Sequence, residues 1–162
     1  MKRTISIPDE ASMLDFGQRM AQALLCQSEA QENLNSVIFL QGSLGAGKTT
    51  LVRGFLRGFG YQDKVKSPTY TLVESYLFGA YAVFHFDLYR LHHSQELESI
   101  GIQDYFIPSA ICLIEWPEHG KGLLPTPDLS CYISLHDNSR EIKLIAQSAH
   151  GETLLQRLWH DQ

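Results

Sequence analysis

The stretch Gly42-Ser43-Leu44-Gly45-Ala46-Gly47-Lys48-Thr49 decides how the rest of this chain is interpreted. The apolar segment Val37-Ile38-Phe39-Leu40 precedes it, and Thr50-Leu51-Val52-Arg53-Gly54-Phe55-Leu56 follows it. The order is that of a buried strand, a glycine-rich loop and the start of a helix. Together with the pattern G-x-x-x-x-G-K-T, this order is typical of a phosphate-binding P-loop.

Each residue type in this loop has a physical role. Gly42, Gly45 and Gly47 can take backbone angles that a Cβ would forbid, so successive N–H groups can point inward around an anion. The helix that begins near Lys48 adds the positive end of its dipole at the same place. Lys48 can then reach the β- and γ-phosphates, and the Thr49 hydroxyl can bind Mg²⁺.

The overall composition is that of an ordinary soluble protein. The 162 residues, with 44% hydrophobic and 19% charged residues, predict a single domain over 1–162 with a core of normal size. A net charge of −5 argues against a broad basic surface for nucleic acid. No signal peptide and no apolar run of about 20 residues are apparent, so we expect no membrane association and a cytoplasmic location.

The strand pattern indicates the fold class. Residues 72–77 and 81–89 are rich in β-formers and are separated by Phe78-Gly79-Ala80, which predicts a hairpin directly after the P-loop helix. Four apolar residues, Ile111-Cys112-Leu113-Ile114, end at Glu115, as in a central parallel strand. We therefore predict an α/β, P-loop NTPase-like, three-layer domain with a mostly parallel central sheet and an antiparallel hairpin.

The segment before the P-loop predicts a helix. Pro8-Asp9-Glu10 interrupts a short strand, and either Asp9 or Ser12 suits the helix N-cap. The predicted helix covers Glu10–Gln27, because apolar side chains recur at helical spacing: Met13, Phe16, Met20, Leu24 and Leu25.

Two acids are candidate functional residues. Glu115 follows its apolar strand about sixty residues after the P-loop, where a Walker B acid helps to hold Mg²⁺. Asp87 lies among large apolar residues, where a carboxylate is costly without a partner. Mg²⁺ or water could be that partner; alternatively, Asp87 is a strand-end carboxylate that bonds backbone amides.

Several classes of P-loop protein can be compared with this chain. The D-x-x-G and N-K-x-D motifs of small GTPases are absent. The seven arginines do not cluster after the strand that ends at Glu115, where a kinase lid would carry them. A small ATPase fits best. A kinase for a small metabolite and a non-catalytic, ATP-sensing adaptor remain as alternatives.

Four segments taken together resemble the bacterial TsaE family, also called YjeE: G-S-L-G-A-G-K-T-T (42–50), S-P-T-Y-T (67–71), F-D-L-Y-R-L (86–91) and I-E-W-P-E (114–118). The resemblance covers nearly the whole chain. It implies the ATPase component of tRNA threonylcarbamoyladenosine biosynthesis, which binds ATP and Mg²⁺ and hydrolyses ATP poorly alone. It also implies the partners TsaB and TsaD, of which TsaD transfers the threonylcarbamoyl group, so that tRNA is contacted only indirectly.

The resemblance also assigns residues. Lys48, Thr69, Asp87 and Glu115 would be catalytic, with Thr69 sensing the γ-phosphate or metal and with Asp87 or Glu115 orienting the attacking water. Thr49 and Glu115 would bind Mg²⁺. No arginine is obviously placed as a finger, so slow hydrolysis by the isolated protein is expected. The nucleotide would contact eleven residues: Glu10, Gly42, Leu44, Gly45, Ala46, Gly47, Lys48, Thr49, Thr50, Glu118 and Arg140.

Overall fold

The computed structural model describes residues 1–26 and 34–160. Its strands form one seven-stranded sheet. In chain order they are β1 (Lys2–Ile7), β2 (Ser36–Gln41), β3 (Val73–Phe78), β4 (Tyr81–Asp87), β5 (Ala110–Glu115), β6 (Leu129–His136) and β7 (Ser139–Ala146). The helices are α1 (Glu10–Leu25), α2 (Lys48–Gly58), α3 (Gln95–Ser99) and α4 (Ala149–His160), with 3₁₀ turns at Ile102–Tyr105 and Pro117–Gly120.

The sheet is mixed, and it is not parallel across its whole width. Its strand order is β1-β7-β6-β2-β5-β4-β3. The four central strands β6, β2, β5 and β4 are parallel to one another. At the edges, β3 pairs antiparallel with β4, β7 with β6, and β1 with β7. The predicted parallel strand at residues 111–115 and the predicted hairpin of β3 and β4 are therefore confirmed. The antiparallel β6–β7–β1 side makes the sheet less parallel than predicted.

Helices and turns cover both faces of the sheet. On one face, α1 packs against α2 and α4, with Phe16, Leu51 and Leu155 in a shared apolar core. On the other face, α3 and the turn at Ile102–Tyr105 cover a smaller core that contains Phe86 and Ile114. Neighbouring residues of a strand point to opposite faces, so β5 supplies Leu113 to the first core and Ile114 to the second. This is a three-layer α/β arrangement.

Helix α1 begins where the sequence predicts. Asp9 has extended backbone angles, and its side chain accepts a 2.8 Å hydrogen bond from the Ser12 N–H, as an N-cap residue does. The helix ends at Leu25, two residues before the predicted end. Gln27 and the following positions to 33 lie outside the described residues.

The parallel strands bring three sequence-distant positions to one edge. Their carboxyl ends meet at the same side of the sheet, and the register pairs Asp87 with Glu115 and Leu40 with Glu115. The glycine-rich loop, defined as residues 42–47, starts directly after β2 at this edge. No helix in the described ranges is long and apolar enough to cross a membrane.

Candidate functional site

The glycine-rich loop connects β2 to the amino end of α2. Gly47 is the N-cap of α2 with a φ of 109°, and it has no side chain that could cap the helix. The first N–H groups of a helix have no intrahelical partner. At Gly42 a Cβ would lie 2.6 Å from the Ile133 carbonyl oxygen, so a larger residue would collide with β6. The loop therefore presents backbone amides at an uncapped helix start.

Lys48 lies at the centre of this arrangement. Its Nζ donates hydrogen bonds to the carbonyl oxygens of Gly42, at 2.6 Å, and Ser43, at 3.0 Å. The same Nζ lies 4.3 Å from the centre of the Trp116 ring, within cation–π range. Burial lowers the pKa of Lys48, and the nearby carboxylates, chiefly Glu115, oppose that shift. The cation is therefore enclosed and surrounded by negative charge.

Glu115 is joined to the start of α2. Its side chain is buried, and its Oε1 accepts a 3.2 Å hydrogen bond from the Thr49 hydroxyl. Trp116 follows with a φ of 56° and a ψ of 50°, a left-handed conformation that is costly for a bulky residue. The turn at Trp116 carries the chain away from β5 and leaves the indole over Lys48.

Asp87 has protein partners for both of its oxygens. Oδ1 accepts from the Tyr89 backbone N–H at 2.9 Å, and Oδ2 accepts from the Thr69 hydroxyl at 3.1 Å. The backbone contact agrees with the strand-end alternative, and the Thr69 contact agrees with a functional link to residues 67–71. The N–H of Asp87 also donates to the Leu72 carbonyl oxygen at 3.0 Å. The segment that contains Thr69 is thus tied to the end of β4.

Two cavities open beside the glycine-rich loop, and both are lined by Gly45 and Thr49. The first, of about 240 Å³, lies between the loop, the start of α1 and β7. The second, of about 280 Å³, lies between the loop and the ends of β4 and β5. Its lining includes Lys48, Thr69, Asp87, Arg90, Glu115 and Trp116.

Comparison with known proteins identifies the family. The family model for "Threonylcarbamoyl adenosine biosynthesis protein TsaE" matches residues 7–143. The chain belongs to the TsaE family. It is 50% identical over 149 residues to the Haemophilus influenzae tRNA threonylcarbamoyladenosine biosynthesis protein TsaE, and the match covers 92% of each chain.

A sequence match and a structural match from Bacillus subtilis extend this comparison. The tRNA threonylcarbamoyladenosine biosynthesis protein TsaE of that organism is 37% identical over 123 residues, or 75% of this chain and 77% of the relative. The crystal structure of YdiB superposes with a TM-score of 0.79 at 27% identity, covering 100% of this chain and 97% of YdiB. The α/β fold with its seven-stranded mixed sheet is close to the YdiB structure.

The predicted residues of this TsaE family member fall into four places. The second cavity brings together the four residues predicted to be catalytic, along with Leu44, Gly45 and Thr49. The first cavity holds Glu10, Gly47, Thr50 and Arg140. Gly42 and Ala46 belong to the loop itself and accept hydrogen bonds, Gly42 from Lys48 and Ala46 from Arg140 at 2.8 Å. Glu118 is exposed and lines a separate groove that contains Phe39 and Lys121.

Two residues near the site carry no clear signal in the sequence. Arg90 lines the second cavity, and its guanidinium stacks on the Tyr70 ring at 4.4 Å. His85 is fully buried, and its Nε2 lies 3.7 Å from Glu115 Oε1. Both belong to the run from His85 to Arg90 that contains Asp87. Because alternate residues of a strand share a face, the sequence could have indicated that His85 and Asp87 lie on the same side. It could not have indicated that His85 lies beside Glu115, which is on another strand.

The hydrogen-bond donors and the side-chain oxygens of this site together fit a nucleotide phosphate with Mg²⁺. The uncapped start of α2 beside Lys48 is the chemistry of an anion site. The oxygens of Thr49, Glu115 and Asp87 are hard ligands, which Mg²⁺ prefers. In ranges 1–26 and 34–160, no three His, Cys, Asp or Glu side chains are grouped to hold a metal. Mg²⁺ commonly uses one or two protein ligands with phosphates and water, so a bound phosphate would complete this set.

Proposed function

We propose that this protein is a P-loop, Mg²⁺-dependent ATPase that supports formation of threonylcarbamoyladenosine in tRNA. Membership of the TsaE family supports the pathway. The observation that carries the ATPase proposal is the convergence of Lys48, Thr49, Asp87 and Glu115 on one cavity beside the glycine-rich loop. No single one of these residues would be enough to propose an ATPase, because each residue type also has common structural roles.

Binding depends on the loop and the start of α2. The backbone N–H groups of the loop and the ammonium of Lys48 hold the phosphates, and Thr49 and Glu115 would hold Mg²⁺. Bound there, the ion would neutralise charge on the β- and γ-phosphates. The rest of the nucleotide extends into the first cavity, where Glu10 and Arg140 lie.

Hydrolysis is attack of water on the γ-phosphorus, with cleavage of the bond to the oxygen that bridges to the β-phosphate. Lys48 and the loop amides stabilise the charge of the transition state, since phosphoryl transfer is catalysed mainly by positioning and charge neutralisation. Because Glu115 is assigned to Mg²⁺ together with Thr49, we assign the orientation of the water to Asp87, the other acid of the second cavity. Thr69 connects that acid to residues 67–71 and responds to the γ-phosphate.

The activity is slow in isolation and increases with partners. We assign TsaB and TsaD as those partners, with ATP use driving repeated turnover of their assembly in the cytoplasm. The net charge of −5 fits this assignment, because a partner rather than this acidic chain would contact the tRNA.

The test measures phosphate release from ATP by the purified protein, with and without TsaB and TsaD. We expect low release that rises strongly with the pair. In Lys48→Ala, release should fall to background, because the charge that faces the phosphates is lost. The control Lys2→Ala changes an exposed lysine of β1 and should leave release unchanged.

Other outcomes would contradict the proposal. Unchanged release in Lys48→Ala would refute the P-loop assignment. Activity that ignores TsaB and TsaD but increases with a small acceptor would indicate a kinase. Tight ATP binding without release in any mixture would indicate an ATP-sensing adaptor.

A further inference from the structure

His85 is a buried polar side chain with no hydrogen-bond partner. It lies in β4, its relative exposure is 0%, and neither ring nitrogen is hydrogen-bonded. Four buried side-chain nitrogen or oxygen atoms are unpaired in the part of the chain that the structure describes, and two of them belong to this ring. Such atoms are rare in native proteins and require an explanation.

Packing does not explain the imidazole. An unpaired buried polar group destabilises the folded state, whereas an apolar group of similar shape carries no such cost. Val83 lies two residues earlier on the same face of β4, is fully buried and belongs to the larger apolar core. An apolar residue at position 85 would therefore suit this face better if packing alone were required.

The ring instead faces one atom of the proposed site. Nε2 of His85 lies 3.7 Å from Oε1 of Glu115, and no other charged partner of the ring occurs among the described residues. The same Oε1 accepts the hydrogen bond from the Thr49 hydroxyl at 3.2 Å. One carboxylate oxygen thus lies between an imidazole in the core and a hydroxyl at the start of α2.

Glu115 needs such support. Its side chain is almost completely buried, and the register places Asp87 directly beside it. A buried carboxylate is costly unless hydrogen-bond donors surround it. An imidazole that carries a proton on Nε2 can donate toward Oε1, and 3.7 Å is about half an ångström beyond the usual N–H···O range.

We propose that His85 is a positioning residue for Glu115. Through an N–H on Nε2 it supports Oε1 electrostatically from the core side, so that the carboxylate keeps the orientation in which it and Thr49 would bind Mg²⁺. This proposal rests on the proposed function. This role explains why position 85 is not an apolar residue. Residues that contact a metal-binding carboxylate contribute to metal affinity, and their loss often lowers that affinity by about 10- to 100-fold.

The test compares His85→Leu, His85→Phe and His85→Gln with the wild-type protein. The first two remove the N–H, and the glutamine amide can restore a donor at similar reach. Calorimetry of ATP binding at increasing Mg²⁺ gives the Mg²⁺ concentration at half-saturation. A second titration with chelator measures metal-free ATP binding, and thermal unfolding of the ligand-free protein measures stability.

We expect the Mg²⁺ requirement of the Leu and Phe variants to rise about 10-fold or more. Metal-free ATP binding should stay within about twofold, because His85 does not line the cavities beside the loop. The unfolding temperature should change little, because removal of the unpaired imidazole stabilises the fold while loss of the donor beside the buried Glu115 opposes that gain. His85→Gln should recover most of the Mg²⁺ affinity.

Val83→Ala is the matched control, because it disturbs the same face of β4 without removing a donor. It should lower the unfolding temperature and leave the Mg²⁺ requirement unchanged. The proposal is overturned if His85→Leu keeps the wild-type requirement, if Val83→Ala shifts it equally, or if neither apolar variant folds while Val83→Ala does. Wild-type protein that binds ATP without any Mg²⁺ dependence would instead refute the proposed metal site, and the role of His85 with it.

Discussion

At the scale of single residues, Asp87 combines a structural part with the catalytic part that we propose for it. The Tyr89 N–H satisfies one oxygen, and the Thr69 hydroxyl satisfies the other. Both partners line the cavity that also contains Lys48 and Glu115, so position alone does not separate a structural from a catalytic part. A variant that keeps the hydrogen bonds but removes the charge can separate the two parts.

Asp87→Asn is that variant. The amide oxygen can still accept from Tyr89, so we expect thermal stability to change little. Phosphate release in the presence of TsaB and TsaD should fall by about 10²–10⁴, the usual contribution of a positioned acid or base. Wild-type turnover in the assembly would reduce Asp87 to a structural carboxylate at the end of β4.

At the scale of elements, the close contact of α1 and α2 supports the loop from behind. A Cβ on Gly54 would overlap the carbonyl oxygen of Leu14, and one on Gly17 would overlap that of Leu51. Glycine at both positions lets the two backbones approach. Because α2 begins at Lys48, this contact also fixes the end of the glycine-rich loop.

Gly54→Ala should therefore destabilise the protein, although alanine is the better helix former by about 1 kcal/mol. The clash is with backbone atoms, which cannot rotate away as a side chain can. We expect a net loss of about 1–3 kcal/mol in the free energy of unfolding, measured by urea denaturation.

The exposed position Gln22 of α1 provides the comparison. Gln22→Ala should change the free energy of unfolding by no more than about 0.5 kcal/mol. A Gly54→Ala protein as stable as the wild type would show that α1 and α2 can separate without cost.

At the scale of the whole molecule, ligand binding should stabilise the fold. A ligand that binds only the folded state at 100 times its Kd contributes about 2.7 kcal/mol. For a chain of 162 residues this corresponds to a rise of roughly 5–10 °C in the unfolding temperature.

The measurement is thermal unfolding with Mg²⁺ and ATP, with Mg²⁺ alone and with neither. We expect the rise with Mg²⁺ and ATP together and a much smaller change with Mg²⁺ alone, because the described residues supply few metal ligands. The rise should disappear in Lys48→Ala. Equal shifts in that variant and the wild type would place ATP elsewhere on the molecule.

Much of the fold follows from local sequence, because the causes act over a few residues. The Asp9 cap, the spacing in α1 and the apolar run before Glu115 each involve neighbours in the chain, and each gives the predicted element. The edges of the sheet do not follow in this way. Apolar and polar residues alternate in β6, which suits a strand, but this local pattern does not specify that β6 pairs parallel with β2.

By itself, the sequence determined the glycine-rich loop between a strand and a helix, the acids at the ends of two strands and the family. Only the tertiary structure decided which distant residues meet. Thr49 and Glu115 are 66 positions apart, and Arg140 reaches Ala46 across 94. His85 faces Glu115 because β4 lies beside β5 in one register. Strand order and register result from the packing of the whole core, and no short pattern in the chain contains them.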